Sequence, residues 1–329
     1  MSKNLSLHTS SKRLFLLRDR ADMFEKARAF FRKRNVLEVD CPALDPKAPV
    51  DLHIDVMKVS LFGSQIGYLH TSPEYGMKRL LAEGIGDIYQ ISHVFRDNEI
   101  GSRHHPEFTM AEWYRCHFSM NEMIQETCAF LQLFLQEMPI YFYTYQEVFQ
   151  TFLEIDPFQT TQEELFSLLR TRNVESAQAD WDRDTLLQLC MSLFIEPMFK
   201  AHTLTVVTHF PPSQAALAKV VETSKGQAAC RFEIFCGNME LANGYHELSD
   251  PEELQMRFEE ANILRLKNGK DALPIDHIFL EALRAGFPDC CGVAVGFDRL
   301  MMLRHGSATI KEILPHAWEE APALHSTHL

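Results

Sequence analysis

Two short stretches hold most of the side chains able to grip charged or planar groups. The first is DIYQISHVFRDNEIGSRHHPEFTMAEWYR, from Asp87 to Arg115. Read at period two, Tyr89, Ile91, His93 and Phe95 share one side of a strand, and Gln90, Ser92 and Arg96 share the other. A polar loop, DNEIGSRHHP, separates this run from a second alternating one with Phe108, Met110, Glu112 and Tyr114 on one face. Paired as an antiparallel hairpin, the two runs bring Arg96 beside Phe108, Glu112 and Tyr114. A fixed guanidinium, an aromatic plane and a carboxylate next to a phenol suit a phosphate, a nucleobase and an amine in turn.

The second stretch is RFEIFCGNMELANGYHELSD, two strands joined by a turn around Cys236, Gly237 and Asn238. In an in-register two- or four-residue hairpin, Glu233 and Glu240 fall on one face, because their numbers sum to an odd value. Two carboxylates side by side repel unless a cation sits between them. Mg²⁺ suits such a pair, since it takes a few carboxylate oxygens and fills its shell with phosphate and water.

Other elements must hold these groups in place. YLHTSPEYGMKRLLAEG reads as a short strand feeding a helix that opens at Pro73 or its neighbours, with Glu74 in the first turn, where an acid complements the helix dipole. CGVAVGFDRLMMLRHG reads as a small-residue strand, Gly292 to Gly296, running into a helix with Arg299 near its start. The glycines allow close backbone approach, and an arginine there can stack on a ring or reach a phosphate. Residues 1–15 are polar and Ser-rich and read as loose, with an amphipathic helix from Leu16 to Arg34 and a strand, VLEVDCP, stopping at Pro42. Periodicity gives a helix over Met120 to Met138 and a mostly helical insertion around 139–202, where Thr160 or Thr161 with Glu163 or Glu164 resembles a helix start. The strand LTVVTHFPP returns the chain to the core, and the tail after Leu314 is irregular.

At 329 residues, 46% of them hydrophobic, the chain is large enough for one well-buried catalytic domain. A net charge of -13 argues against nucleic acid as the main partner. The eight cysteines have no C-x-x-C spacing and read as reduced thiols of a cytoplasmic protein, with neither a signal peptide nor a membrane span.

FRDNE, RHHPEF and TMAEWY resemble motif 2 of class II aminoacyl-tRNA synthetases in the lysyl form, F-R-x-E followed by R-H-N-P-E-F-T and E-x-Y. ELANGYHEL is similar to the lysyl family's E-I-G-N-G-F-S-E-L, GVAVGFDR resembles motif 3, and the opening helix and proline-ended strand resemble the motif 1 dimer element. The likeness is strongest to the free-standing lysyl paralogues that ligate (R)-β-lysine to elongation factor P. It implies an α+β fold: the class II catalytic core, a mostly antiparallel sheet flanked by helices, over residues 16–329, without the anticodon-binding OB-fold that precedes motif 1 in lysyl-tRNA synthetases.

The resemblance also implies a reaction and its residues. An amino-acid carboxylate attacks the α-phosphate of ATP, and the adenylate then gives its acyl group to a lysine of elongation factor P. (R)-β-lysine is the preferred substrate, lysine a weaker one; tRNA is disfavoured, and the protein is a homodimer. Arg96 and Arg299 are the catalytic pair. ATP is held by them with Asp97, Asn98, Arg103, His104, His105, Phe108, Glu240, Leu241 and Gly296, and Mg²⁺ by Glu233 and Glu240. The diamine is held by Ser72, Pro73, Glu74, Glu112, Tyr114, Asn243, Tyr245, Glu247 and Ala294, with Glu74 receiving an amino group and Asn243 the carboxylate.

Four residues depart from the lysyl pattern. Asn98 stands at the F-R-x-E glutamate, His105 at the asparagine of R-H-N-P-E-F, Ser72 where A-P-E is usual, and Ala294 where glycine is usual. The last two reshape the space around the substrate's amine by a hydroxyl and a methyl. A truncated lysyl-tRNA synthetase and a catalytically silent paralogue are the competing readings; retention of Arg96, Glu233, Glu240 and Arg299 speaks against silence.

Overall fold

Helix α1 spans Ser2–Arg32 in the computed structural model, which describes residues 2–318. No glycine or proline interrupts that span, so nothing in the sequence stops the helix near Leu16. The opening residues read as loose therefore fall within its bounds. Short strands β1 (Leu37–Glu38), β2 (Leu44–Asp45), β3 (Lys58–Ser60) and β4 (Ile66–Leu69) follow. Then come α2 (Glu74–Ala82), β5 (Ile88–Phe95), β6 (Glu107–Cys116) and α3 (Met120–Leu135). The insertion supplies β7 (Ile140–Thr144), α4 (Tyr145–Leu153), α5 (Gln162–Thr171) and α6 (Arg183–Cys190), and ends in a π-helical turn, Met191–Ile195, and a 3-10 turn, Glu196–Met198. The chain closes through β8 (Leu204–Phe210), β9 (Val220–Thr223), β10 (Gly226–Cys236), β11 (Met239–His246), α7 (Pro251–Lys267), α8 (His277–Gly286), β12 (Cys290–Gly296) and α9 (Phe297–His305).

The main sheet has the order β1-β5-β6-β12-β11-β10-β8-β7, with β9 added on β10. Its inner pairs are antiparallel and only the two ends, β1 on β5 and β7 on β8, are parallel. The insertion thus contributes a sheet strand, β7, which helical periodicity concealed: IYFYT is five residues long and runs directly into the capped start of α4. Capping boxes at Ser119–Glu122, Thr144–Glu147 and Thr161–Glu164 fix the starts of α3, α4 and α5.

Helices α1, α3 and α9 cover one face of the sheet. Phe31 stacks on Tyr89 at 4.1 Å, and Phe24 on Phe297 at 4.3 Å. The fully buried rings of Phe31 and Phe297 each contribute about 1.5–3 kcal/mol from area alone. A separate cluster, with Phe149, Leu165 and Leu187, seats the insertion on Val207, Phe210 and Phe235. One polar knot ties both ends of the chain to the hairpin: Arg20, 6% exposed, pairs with Asp298 at 2.5 Å and donates to Thr109 Oγ1 at 2.8 Å. Asp298 in turn accepts the Thr109 amide at 2.6 Å. Among the described residues no helix is long and apolar enough to cross a membrane, and all eight cysteines are free thiols.

Candidate active site

The sheet face away from α1 and α3 is laid out in cross-strand rows. Gln90, Glu112, Ala294, Asn243 and Glu233 are successive partners across β5, β6, β12, β11 and β10. The next row runs Ile88, Tyr114, Gly292, Tyr245 and Arg231. Neighbouring strands lie about 4.8 Å apart, so each row sets its side chains at a regular spacing on one surface.

At one end of that surface the β5–β6 hairpin places Arg96 over Phe108, its guanidinium carbon 5.2 Å from the ring centroid. The Arg96 amide closes the loop on Pro106 O at 2.9 Å. Arg96 NH1 lies 3.5 Å from Glu99, while its Nε is buried without a partner. Arg299 comes from the first turn of α9. Its NH1 donates to Glu240 O at 3.0 Å and lies 3.3 Å from Glu240 Oε2, and its NH2 meets His104 Nε2 at 2.7 Å. Burial, and then Arg299 itself, holds the His104 pKa below the usual imidazole value, which keeps that nitrogen an acceptor. Arg103 pins the hairpin loop to the β10–β11 turn, donating to Asn238 O at 2.6 Å and to Asn238 Oδ1 at 2.9 Å. Gly296 caps α9 with space beside Arg299.

Three residues expected at the nucleotide are otherwise engaged. His105 Nδ1 bonds Glu107 O at 2.6 Å and its Nε2 accepts the Trp318 amide at 2.8 Å, so both ring nitrogens serve the frame. Asp97 bridges to Asp55 through its backbone, and its side chain accepts the amide of Asn98, which sits at φ +61°. Leu241 is 2% exposed in the core. It is the extra residue of a bulge, since Phe235 faces Glu240 while Ile234 faces Ala242.

That bulge leaves the two metal candidates together. Cys236 opposite Met239 makes the turn a two-residue one, with Gly237 at φ +56°. Glu233 and Glu240 fall on one face, and burial, joined by the Glu240 charge, pushes the Glu233 carboxyl up to about 7 against the pull of Arg231. Arg231 forms an ion pair with Glu233 from two residues earlier on the same strand. Glu196, from the insertion, stands near the same acids, its carboxyl also raised to about 7 by burial, then by Glu233 and Glu240. Among the described residues no group of three or more acidic, histidine or cysteine side chains is arranged to hold a metal by itself.

The other end is an acidic pocket with an occupant that sequence reading missed. Lys78 is 2% exposed and lies between Glu74, at 2.5 Å, and Glu247, at 2.6 Å. Burial alone would lower its pKa, but Glu247 and Glu74 outweigh that and keep it charged. Glu74 therefore does not wait alone for an amine, as the sequence suggested. The spacing of four residues along α2 was the available signal. Ser72 Oγ accepts the Glu74 amide at 3.2 Å and so steadies the start of α2, for which Pro73 is the N-cap.

Glu112 accepts the Tyr114 hydroxyl at 2.7 Å through one oxygen, and its other oxygen is buried without a partner. Burial, reinforced by Glu74, pushes its carboxyl up to about 8. Burial likewise raises Glu247 to about 7 despite Lys78. Asn243 donates to the Tyr245 hydroxyl at 3.0 Å, leaving its Oδ1 buried and unpartnered. A Cβ on Gly292 would collide with the Tyr114 ring and the Glu247 carboxylate, so only glycine lets these two converge.

Nucleotide-suited cations and a diamine-suited pocket thus share one sheet surface, and the whole chain bears comparison with known proteins on that basis. Residues 3–319 match the family described as tRNA synthetases class II (D, K and N). The chain belongs to that family. Within the family it is similar to the elongation factor P–(R)-β-lysine ligase of Haemophilus ducreyi, 44% identical over 307 residues, which covers 92% of this chain and 93% of that protein. The ligase of the same description from Pasteurella multocida is 41% identical over 307 residues, covering 92% and 94%. That from Haemophilus influenzae is 44% identical over 307 residues, with the same two shares, 92% and 94%. The family's expected sheet, mostly antiparallel with helices packed on it, is the one described above.

Proposed function

We propose that this chain uses ATP to activate (R)-β-lysine, and lysine more weakly, as an aminoacyl-adenylate, and then joins the acyl group to a lysine side chain of elongation factor P. The row Glu112–Ala294–Asn243–Glu233 carries this reading, because it lines up an amine pocket, a carboxylate holder and a phosphate-side acid.

The unpartnered atoms fit the two reactants. The buried Nε of Arg96 suits a phosphate oxygen, and the free oxygen of Glu112 suits an ammonium. The Asn243 amide lies between them, one strand from Ala294. Three carboxyls, Glu74, Glu112 and Glu247, face the one resident cation Lys78, an excess of acid that suits a substrate with two ammonium groups. Glu233 and Glu240 would hold Mg²⁺, whose part when bound is to neutralise charge on the phosphates; only two protein carboxylates are on offer, as suits an ion that keeps water and phosphate in its shell.

The chain itself supplies position and charge rather than a nucleophile. Arg96 and Phe108 hold the α-phosphate and the base, and Arg299 closes over the nucleotide from the other side. Glu112, Tyr114 and Glu247 fix the amines so that the substrate carboxylate faces phosphorus for in-line attack, with pyrophosphate leaving. Ser72 and Ala294 set the space between amine and carboxylate, worth about 1–3 kcal/mol for one methylene, a preference rather than an absolute choice. A homodimer joined through the motif 1 elements and a cytoplasmic location belong to the same reading. Leu37 on the edge strand β1, 52% exposed, is a surface that a second copy would cover.

Pyrophosphate exchange with (R)-β-lysine and with lysine tests the first step; an inactive paralogue shows none with either. Labelled (R)-β-lysine offered with ATP to elongation factor P and, separately, to tRNA tests the second. Label on tRNA alone would mark the chain as a truncated lysyl-tRNA synthetase and end the proposal.

A further inference from the structure

Beside the nucleotide end of the site, between the insertion and the sheet, lies a cavity of about 490 Å³. Its inner wall is Glu233 and Glu240, and its outer wall comes from the insertion: Tyr145 of α4, Trp181 before α6, and Glu196 after the π-helical turn. Phe210 at the end of β8 adds another ring. Tyr145 is 1% exposed; its buried hydroxyl makes no well-formed hydrogen bond, with Gln214, also of the cavity lining, as a polar neighbour. A π-helical turn costs hydrogen-bond geometry and recurs at functional sites. Here it carries Met191 and Ser192 to the cavity and delivers Glu196.

Position decides what this space can serve. Glu233 is the cross-strand partner of Asn243, about 4.8 Å away by strand spacing, and Asn243 is the proposed holder of the reacting carboxylate. The amine pocket lies on the opposite side of Asn243, beyond Ala294. Once pyrophosphate has left, a group lying in the cavity approaches the acyl carbon from the side away from the amine pocket. Aromatic walls suit a methylene chain, and Glu196, the cavity carboxylate not assigned to Mg²⁺, favours a cationic head.

The geometry points to this cavity as the passage for the acceptor: an alkylammonium side chain presented by a protein, threaded between Trp181 and Phe210 with its nitrogen drawn in by Glu196 and the Tyr145 hydroxyl. The assignment rests on the activity proposed above and places its second half. The incoming ammonium sheds one proton to water, and its lone pair attacks the acyl carbon of the adenylate. The C–N bond forms as the acyl C–O bond breaks, the electron pair leaving on the AMP phosphate, and nitrogen loses its second proton to solvent.

Filling the passage tests the assignment. Gln188 and Ser192 line it from exposed positions, so Gln188→Trp and Ser192→Trp narrow it with the core untouched. Glu196→Gln removes its charge and keeps its shape. Each variant is compared with wild type in pyrophosphate exchange, and in single-turnover transfer from preformed adenylate to elongation factor P, with a thermal melt to establish folding. We expect transfer to fall at least about tenfold relative to exchange in a filling variant and in Glu196→Gln. Transfer and exchange falling in step would assign the cavity to the nucleotide and overturn the proposal, as would normal transfer in all three variants. A wild-type enzyme without exchange would remove the underlying activity instead, a result distinct from either.

Discussion

Replacing Lys78 with methionine isolates the buried cation of the amine pocket. Methionine keeps the length and apolar stem of the side chain but leaves Glu74 and Glu247 facing each other with no positive charge between them. Removing one partner of a buried ion pair costs about 3–5 kcal/mol when the other stays charged. For a domain this size that lowers Tm by on the order of 10 °C. Glu247 escapes part of this by taking up a proton, so the cost depends on pH. Without Lys78 the Glu247 carboxyl, already pushed up to about 7, is raised further, the folded state then holds the extra proton, and stability falls as pH rises through the shifted range. Melts at about pH 6 and pH 8.5 therefore differ more for Lys78→Met than for wild type. Lysine, carrying two ammonium groups, should restore more stability to the variant than to the parent. A loss that is the same at both pH values, or one that lysine does not reduce, would refute the account of Lys78 as a resident counter-charge.

Lysine affinity should rise with pH by up to about tenfold per unit as Glu112, raised to about 8, gives up its proton. Glu112→Gln should flatten that rise, as calorimetric titration across the range will show. In the ligand-free enzyme the same raised carboxyl should make stability decline from about pH 5 to pH 8. Gly292→Ala drives a methyl into Tyr114 and Glu247, so KM for the diamine should rise while the fold persists at a cost of about 1–3 kcal/mol, read by melting and exchange kinetics. Ala294→Gly opens the space between Glu112 and Asn243 and should move the preference from (R)-β-lysine toward lysine by about tenfold in kcat/KM for exchange.

The hairpins were legible because their information is local. Period two in β5 and β6 sets Arg96 against Phe108 whatever the rest of the chain does, and a two-residue turn puts Glu233 and Glu240 on one face. The bulge at Leu241 was not legible, since ELANG carries no residue that demands it; only pairing with β10 on one side and β12 on the other reveals the slip. Lys78 could have been found from Glu74 by helical spacing. Glu196 could not: it is brought to Glu233 by packing of the insertion on β8 and β10, a contact between segments with no shared pattern. Strand β7 failed for a related reason, as four apolar and aromatic residues and a threonine ahead of a helix fit either state until a neighbour such as β8 exists to pair with them.

The salt link of Arg20 to Asp298 closes a loop of 278 positions, and Thr109 sits inside it. During synthesis the hairpin that carries Arg96 therefore emerges long before the helix that braces it, and Arg299 and Gly292 emerge last of all. Partial chains on the ribosome can make the Glu233–Glu240 pair and the Arg96 guanidinium, yet have nothing to supply Arg299 or to let Tyr114 meet Glu247. Turnover begins only once the chain through Arg299 has emerged, so copies that stop short of it cannot consume ATP.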